Sequence, residues 1–307
     1  MNFDPAYRTQ LAEQYPEEIV EQIADDVLHA PLEHSPGQAI PFVFTKVPDA
    51  HEPPILFVPG FGGGIINKAS FAAELAMNNA SIILPGQNRH KIVEDAIHGR
   101  NATVAQARNY LAVLDHTMGA EPVNIVAHSY GALIFQKMVE LSPSRFTDSK
   151  TVFMAPSGSI HDETLPDLGR RWVASTRSEM NKKRPTEFPD DKGVTGKASA
   201  MTLLANLPRM KQEIGELAHA RIDYPALVKR VGSLTIMSFA EDRMFPEDRM
   251  FSTLDEAVKA GATWLTPVSP DKVLDGTMRY SGDGAVHDDD QYNPTRVVGS
   301  LMQALYR

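Results

Sequence analysis

The stretch from Val123 to Leu133 constrains the fold of this 307-residue chain more than any other. It begins with the apolar run Val123-Asn124-Ile125-Val126-Ala127, which is typical of a strand buried on both faces. Beyond Gly131 the apolar residues recur at helical spacing, at Leu133, Ile134, Met138 and Leu141. The pattern predicts a strand that turns sharply into a helix at Ser129. Small residues at 127 and 131 suit this turn, because the strand and helix backbones must approach closely there.

A turn of the form small-x-Ser-x-Gly is typical of a nucleophile elbow. In such an elbow a strained backbone presents the serine hydroxyl at the end of a buried strand, within reach of a base. An ordinary strand–helix loop that contains a serine fits the same five residues. Partner residues elsewhere in the chain therefore have to decide between the two interpretations.

Short apolar runs alternate with helical patterns along most of the chain. We predict strands at residues 41–47, 54–60, 80–84, 151–156, 233–239 and 262–266. Helical patterns cover residues 70–78, 101–118, 247–259 and 294–306, and an amphipathic pattern predicts another helix over 5–29. Prolines suggest that the strand at 41–47 lies at a sheet edge. The alternation predicts an α/β fold with a mostly parallel central sheet and helices on both faces.

Composition narrows the class of protein. With 42% hydrophobic and 22% charged residues the chain is an ordinary globular one, and its length suits one large α/β core. The net charge of −9 argues against nucleic acid as a partner. No apolar run approaches the roughly 18 residues of a membrane span, and the N-terminus lacks an apolar signal core. There are no cysteines, which excludes disulfides and thiol catalysis. We expect a cytoplasmic protein, with a disulfide-free secreted protein as the alternative.

The alternation of strands and helices stops between residues 158 and 228. This segment has a helical pattern broken by prolines, and its charges nearly balance although the rest of the chain is acidic. Loops at the carboxyl ends of parallel strands surround a site, so an insertion there would cover it. We predict a helical cap at 158–228, between core segments 1–157 and 229–307.

Three apolar residues of the predicted cap are candidates to line a substrate pocket: Trp172, Met201 and Leu204. Packing inside the cap explains the same residues equally well. A docking surface for a partner protein is a further interpretation of this segment.

A glycine-rich loop follows the strand at 54–60. Its sequence, Gly60-Phe61-Gly62-Gly63-Gly64, begins like the dinucleotide fingerprint G-x-G-x-x-G, but Ile65 stands at the third glycine position. A second interpretation is a loop whose backbone N–H groups face a cavity and contribute to an oxyanion hole. A purely structural turn is the third.

With these motifs together, the chain resembles the α/β-hydrolase fold superfamily over about residues 30–307. The resemblance rests on Ile55–Gly64, Ala127–Gly131, Phe239–Pro246 and Ala285–Asp288, which occur in the order expected for nucleophile, acid and histidine. Carried over to this sequence, it implies Ser129 as nucleophile, Asp242 as acid and His287 as base. It also implies that the backbone N–H groups of Tyr130 and Phe61 form the oxyanion hole.

The chain departs from the pattern of this superfamily in two places. Pro59-Gly60 stands where many members have His-Gly, which keeps a backbone donor but removes that histidine. The interval of 45 positions from Asp242 to His287 is also long. Two of the roles have rival residues. His128 stands beside the serine, but a packing or hydrogen-bonding role suits it better than that of the base. Glu241, Asp248 and Asp283 are rivals of Asp242 for the acid. The run Asp288–Asp290 has a cation site as an alternative to a solvated loop.

The resemblance implies a serine hydrolase that cleaves a carboxylic ester or a related acyl compound through an acyl-enzyme. It implies a small-molecule acyl substrate and neither a cofactor nor a metal. The same triad also serves carbon–carbon bond hydrolysis, lactone opening, amide cleavage and perhydrolysis. A small-molecule receptor that keeps the pocket and turns over slowly is an alternative of a different class. The sequence does not determine the oligomeric state.

Overall fold

A computed structural model describes most of the chain and shows its central sheet. The described residues are 5–32, 38–60, 65, 68–86, 101–160, 164–171, 174, 207–239, 242–265 and 294–306. Eight strands form one sheet: β1 (Leu28–Pro31), β2 (Ala39–Thr45), β3 (His51–Val58), β4 (Ala80–Pro85), β5 (Asn124–His128), β6 (Lys150–Met154), β7 (Ser233–Met237) and β8 (Thr263–Leu265). Their order is β1-β2-β4-β3-β5-β6-β7-β8. β2 is antiparallel to both of its neighbours, β1 and β4. The other six strands, β3 to β8, are parallel to one another.

Helices cover both faces of this sheet. They are α1 (Pro5–Gln14), α2 (Glu17–Ala24), α3 (Ala69–Met77), α4 (Ala102–Met118), α5 (Gly131–Leu141), α6 (Leu207–His219), α7 (Tyr224–Val228), α8 (Glu247–Lys259) and α9 (Pro294–Tyr306). Buried side chains of α2, α3 and α9 share a core with one face, whereas those of α4 to α8 share a core with the other. The predicted fold class, a mostly parallel sheet with helices on both faces, is confirmed.

The strands read as apolar runs because both of their faces are buried. In β3, Leu56 and Val58 face one core while Ile55 and Phe57 face the other, and all four are fully buried. Successive side chains of a strand point to opposite faces, so a strand covered on both sides needs apolar residues at every position.

The N-terminal part differs from the prediction in two respects. The single helix predicted over residues 5–29 is two helices, α1 and α2, followed by β1. Pro16 stands between the two helices and cannot continue the hydrogen bonds of α1, since it has no N–H. The strand predicted at a sheet edge is β2, but β1 pairs with its outer side and forms the edge instead.

Where it is described, the segment predicted as a cap is helical, at residues 165–171 and in α6 and α7. Its two ends lie together. The N–H of Ile222 donates to the carbonyl oxygen of Gly158 at 3.2 Å, and the hydroxyls of Ser159 and Tyr224 are 2.6 Å apart in a buried contact. The chain therefore leaves the sheet after β6 and returns to the same place before β7.

Candidate active site

Ser129 directly follows β5, and its backbone is strained. Its φ is +53°, in the left-handed region that non-glycine residues rarely adopt, and α5 begins two residues later at Gly131. Such a conformation costs about 1–3 kcal/mol and persists only where the surroundings impose it. The predicted sharp turn from strand to helix is present, with the serine at its apex.

The surroundings that impose this turn are the neighbouring strands. The N–H of Ser129 donates to the carbonyl oxygen of Met154 at the end of β6, at 2.9 Å, and the N–H of Ser157 donates to the carbonyl oxygen of Ser129 at 3.2 Å. One strand further, the N–H of Ala155 donates to the carbonyl oxygen of Met237 at 2.8 Å. These bonds continue the sheet ladder beyond the strands and fix Ser129 relative to the end of β7.

The connections from the adjacent strands β3 and β5 leave in opposite directions, and in open α/β sheets ligands bind at the carboxyl ends of two such strands. Gly60, just after β3, lies against the serine at this place. A β-carbon at Gly60 would be 2.9 Å from the Cβ of Ser129, closer than side chains approach. The glycine is therefore required for the loop after β3 to begin beside the serine.

The dinucleotide interpretation of this loop loses support. Ile65, at the third glycine position, is fully buried in the core, and α3 begins only at Ala69. A dinucleotide site needs the glycines to lead directly into a helix N-terminus that holds the pyrophosphate. Phe61, whose N–H was predicted to be an oxyanion donor, lies outside the described residues.

Tyr130 is the residue that caps the start of α5. The first N–H groups of a helix have no partner within it and form the positive end of its dipole, so they suit a negatively charged oxygen. The side chain of Tyr130 is buried, and its hydroxyl lies 2.7 Å from Thr103 Oγ1 and donates to Glu216 Oε2 at 3.0 Å. Burial and then the carboxylates of Glu216 and Glu213 raise the pKa of Tyr130 well above its usual value, so the hydroxyl remains a donor.

Asp242 follows β7 at the same edge of the sheet and is 3% exposed. Its Oδ1 accepts hydrogen bonds from the N–H groups of Met244 at 2.7 Å and Phe245 at 2.9 Å, which orients the carboxyl group. The competing acid Asp248 is exposed in the first turn of α8, where the helix dipole alone favours a carboxylate. Glu241 and Asp283 lie outside the described residues.

One strand separates the ends of β5 and β7. Neighbouring strands are about 4.8 Å apart, so these ends are separated by about 10 Å, which leaves room for an imidazole between a serine and a carboxylate. The structure thus brings Ser129, Tyr130 and Asp242 to the carboxyl ends of the parallel strands. The other predicted site residues, His287, Trp172, Met201 and Leu204, lie outside the described part of the chain.

His128, the competing base, is 2% exposed and packs beside Gly60. A β-carbon at Gly60 would lie 3.4 Å from Nδ1 of this histidine. His128 ends β5, and its Nδ1 and the Cβ of Ser129 both lie near Gly60, so the choice between His128 and His287 as base rests on variants of the two histidines.

Sequence reasoning missed the acidic residues Glu213 and Glu216 of α6. The pair is three positions apart and so shares one face of the helix with the buried Leu217. Acidic residues on an apolar face are a signal of buried polar contacts. The identity of those contacts, Gln106 for Glu213 and the start of α4 for Glu216, depends on tertiary structure.

Solved structures that resemble this one carry the α/β-hydrolase fold. A 2-hydroxy-6-oxo-6-phenylhexa-2,4-dienoate hydrolase from Rhodococcus sp. strain RHA1 has a TM-score of 0.61 at 15% identity, with 92% of this chain and 99% of that chain covered. A thermophilic esterase from Thermogutta terrifontis has a TM-score of 0.57 at 13% identity, covering 90% and 97%. A serine hydrolase from Cycloclasticus zankles has a TM-score of 0.56 at 12% identity, covering 90% and 95%.

The chain has the α/β-hydrolase fold. At these identities the likeness establishes the fold and not the activity. Neither the protein-family models nor the curated proteins give a match to this sequence. Among the described residues, no helix is both long and apolar enough to cross a membrane.

Proposed function

We propose that the chain is a serine hydrolase that cleaves a carboxylic ester or a related acyl compound. Ser129 is the nucleophile, His287 the general base and Asp242 the acid that orients the histidine. The observation that carries the proposal is the strained Ser129, which follows β5 with a φ of +53°. The buried Asp242 follows β7, so both residues lie at the carboxyl ends of the parallel strands. Strain of this kind accumulates at functional sites, and a serine in an ordinary loop does not require it.

The chemistry of acyl transfer accounts for each residue. A serine hydroxyl is a weak nucleophile near neutral pH, so the neutral imidazole of His287 removes its proton as Ser129 Oγ attacks the carbonyl carbon. The tetrahedral intermediate carries a negative oxygen, which the N–H groups of Tyr130 and Phe61 stabilise. His287 then gives its proton to the leaving alcohol as the C–O bond breaks, and Ser129 retains the acyl group. Asp242 holds the imidazole in the tautomer that this requires.

Hydrolysis of the acyl-enzyme repeats the sequence with water. His287 takes a proton from water, the resulting hydroxide attacks the acyl carbon, and the second tetrahedral intermediate collapses as the proton returns to Ser129. The carboxylic acid leaves and the free serine is restored. In this proposal residues 158–228 form a cap over the site and select the acyl or alkyl group of the substrate. Trp172, Met201 and Leu204 contact that group.

Carbon–carbon bond hydrolysis is the second candidate, because one solved structure with the same fold is a dienoate hydrolase. The triad and the strained serine are equally compatible with that reaction, with a carbon acid as leaving group. Lactone opening, amide cleavage and perhydrolysis use the same intermediate, and a slow-turnover receptor would retain the pocket.

The test is turnover together with covalent labelling. The protein is incubated with p-nitrophenyl esters of increasing acyl length, with a vinylogous 1,5-diketone, and with a fluorophosphonate probe followed by peptide mapping. We expect ester turnover and a single adduct on the Ser129 peptide, both lost in Ser129→Ala. Ser144→Ala, which alters an exposed serine after α5, is the matched control and should behave as the parent.

Each outcome separates the candidates. Diketone cleavage without ester turnover would identify carbon–carbon bond hydrolysis as the reaction. Labelling of Ser129 without turnover of any substrate would favour the small-molecule receptor. An adduct on another serine, or ester turnover that survives Ser129→Ala, refutes the assignment of the nucleophile.

A further inference from the structure

The carboxylate of Glu216 joins the segment between β6 and β7 to the serine elbow. Its Oε1 accepts from the N–H of Ala102 at 2.9 Å, and its Oε2 accepts from the N–H of Thr103 at 3.0 Å. The same Oε2 accepts from the hydroxyl of Tyr130 at 3.0 Å and, in a short contact, from the hydroxyl of Thr103. A side chain of α6 therefore contacts the residue next to Ser129.

Part of this arrangement anchors α6. The first N–H groups of α4 lack partners within the helix, and negative charge is favoured at this end. The side chain of Asn101 accepts from one of these groups, the N–H of Val104, at 3.1 Å. Glu216 accepts from the two preceding N–H groups, those of Ala102 and Thr103. Anchoring alone would be satisfied without Tyr130.

The hydrogen bond from Tyr130 to Glu216 does more than anchor α6. It restrains the side chain of the residue that follows Ser129 in the strained turn. Tyr130 is 1% exposed, and its hydroxyl is held between Glu216 Oε2 and Thr103 Oγ1, 2.7 Å away. Tyr130 is the N-cap residue of α5 and directly follows the strained Ser129. A shift of the Tyr130 peptide would move the hydroxyl out of a buried network, so the network opposes that shift.

We propose that Glu216 is a positioning residue: by holding the Tyr130 hydroxyl it fixes the direction of the Tyr130 N–H, and it thereby couples the docking of α6 to the geometry of the oxyanion hole. The inference rests on the proposed function, since it assigns that N–H to the developing oxyanion. An N–H displaced by a fraction of an ångström stabilises the transition state less, while binding of the uncharged substrate changes little.

Glu213 provides the matched control. It lies one turn earlier in α6, is 1% exposed and accepts from Gln106 Nε2 at 2.8 Å. It thus links α6 to α4 as Glu216 does, but it has no hydrogen bond to Tyr130. A purely structural role for the two acids predicts similar effects for both, whereas positioning predicts an effect on turnover for Glu216 alone.

The experiment compares Tyr130→Phe, Glu216→Gln, their double variant and Glu213→Gln in the full chain, with the p-nitrophenyl ester that the parent turns over best. Tyr130→Phe removes one hydroxyl and leaves the bonds of Glu216 to α4 in place. We expect kcat to fall about 10- to 100-fold in Tyr130→Phe and Glu216→Gln, the range that misplacement of a catalytic group produces, with KM within about threefold. Fluorophosphonate labelling should slow in parallel, since the phosphonyl oxygen occupies the oxyanion position.

The double variant should be no slower than the worse single variant, because both changes act on the same connection. Glu213→Gln should keep kcat within about twofold of the parent even if its melting temperature falls. Parent-like kcat in Tyr130→Phe, or an effect confined to KM, overturns the inference while leaving the serine hydrolase intact. If Glu216→Gln does not fold, Tyr130→Phe decides alone. A parent without turnover dependent on Ser129 refutes the proposed function, and the inference with it.

Discussion

A β-carbon at Gly131 would overlap the carbonyl oxygen of Val58 and lie 2.9 Å from its carbonyl carbon. Gly131 begins α5 and Val58 ends β3, so the helix after the serine passes directly over the neighbouring strand. Backbone atoms of two regular elements cannot give way as the end of a flexible side chain can. The requirement for glycine in the small-x-Ser-x-Gly pattern therefore has a definite cause in this molecule.

Gly131→Ala should destabilise the protein by about 1–3 kcal/mol, as overpacking against fixed atoms does, and should reduce turnover by moving Ser129. The matched control is Gly299→Ala in α9, where an added β-carbon meets nothing within 4 Å. That change should stabilise the helix by about 0.5–1 kcal/mol. Urea denaturation measures both free energies of unfolding, and equal effects would contradict the proposed overlap.

Asp242→Asn should lower kcat by about three to four orders of magnitude with little loss of stability. Both N–H groups, of Met244 and Phe245, donate to the same oxygen, Oδ1, and an amide keeps one carbonyl oxygen for them. An amide nitrogen cannot accept the imidazole N–H, so the orientation of His287 is lost. Asp248→Asn, in the exposed first turn of α8, is the control and should keep kcat. The reverse ranking in ester assays would transfer the acid role to Asp248.

The sequence predicts those parts of the molecule in which local pattern and tertiary structure agree. The turn at Ser129 and the span of α8 follow from residues within a few positions of one another. The position of β1 outside β2 cannot be predicted in this way, because a four-residue strand in which only Ala30 is buried gives no apolar pattern.

The contact between Glu216 and Tyr130 shows the same limit at the candidate site. These residues are 86 positions apart, and only the path of the chain between β6 and β7 brings them together. A pattern could mark Glu213 and Glu216 as acids on a buried face, but it could not name their partners. The roles of His287, Phe61 and the predicted pocket residues stay predictions.

The rate constant kcat/KM should rise with pH through the ordinary imidazole pKa of about 6.5 and then level off, because only neutral His287 accepts the serine proton. His287→Ala should lower kcat by at least about 10³-fold across this range. Initial rates with one ester from pH 5 to 9 measure both effects. Near-parent turnover in His287→Ala would assign the base to another histidine, with His128→Ala as the next variant to assay.

Trp172→Ala and Leu204→Ala should change the preference between short and long acyl esters more than they change the overall rate. Hydrophobic pocket contacts discriminate by about 1–3 kcal/mol per site, and residues 158–228 connect two strands at the edge that carries Ser129. Ratios of kcat/KM across the ester series test this, with light scattering on the same samples. An unchanged ester preference together with a changed oligomeric state would favour a docking surface for a partner.

The two buried tyrosines, Tyr130 and Tyr224, should make the protein lose stability at alkaline pH. Burial raises the pKa of Tyr224, although its bond with Ser159 opposes this, and burial with the nearby carboxylates raises that of Tyr130. In the unfolded chain both ionise near pH 10, whereas in the folded chain they keep their protons. The contribution of these two tyrosines to the free energy of unfolding should therefore be constant below pH 9 and fall above pH 10, by up to about 1.4 kcal/mol per pH unit for each tyrosine.

Tyr224→Phe separates this ionisation from other alkaline effects. Near pH 8 the variant should be less stable by about 1 kcal/mol, because Ser159 Oγ loses its partner in the buried contact at 2.6 Å. Above pH 10 its stability should fall less steeply than that of the parent, since one ionising group of the unfolded chain is gone. The two curves, measured by urea denaturation from pH 7 to 11.5, should approach each other as pH rises. Curves that stay parallel over the whole range would contradict a raised pKa at Tyr224.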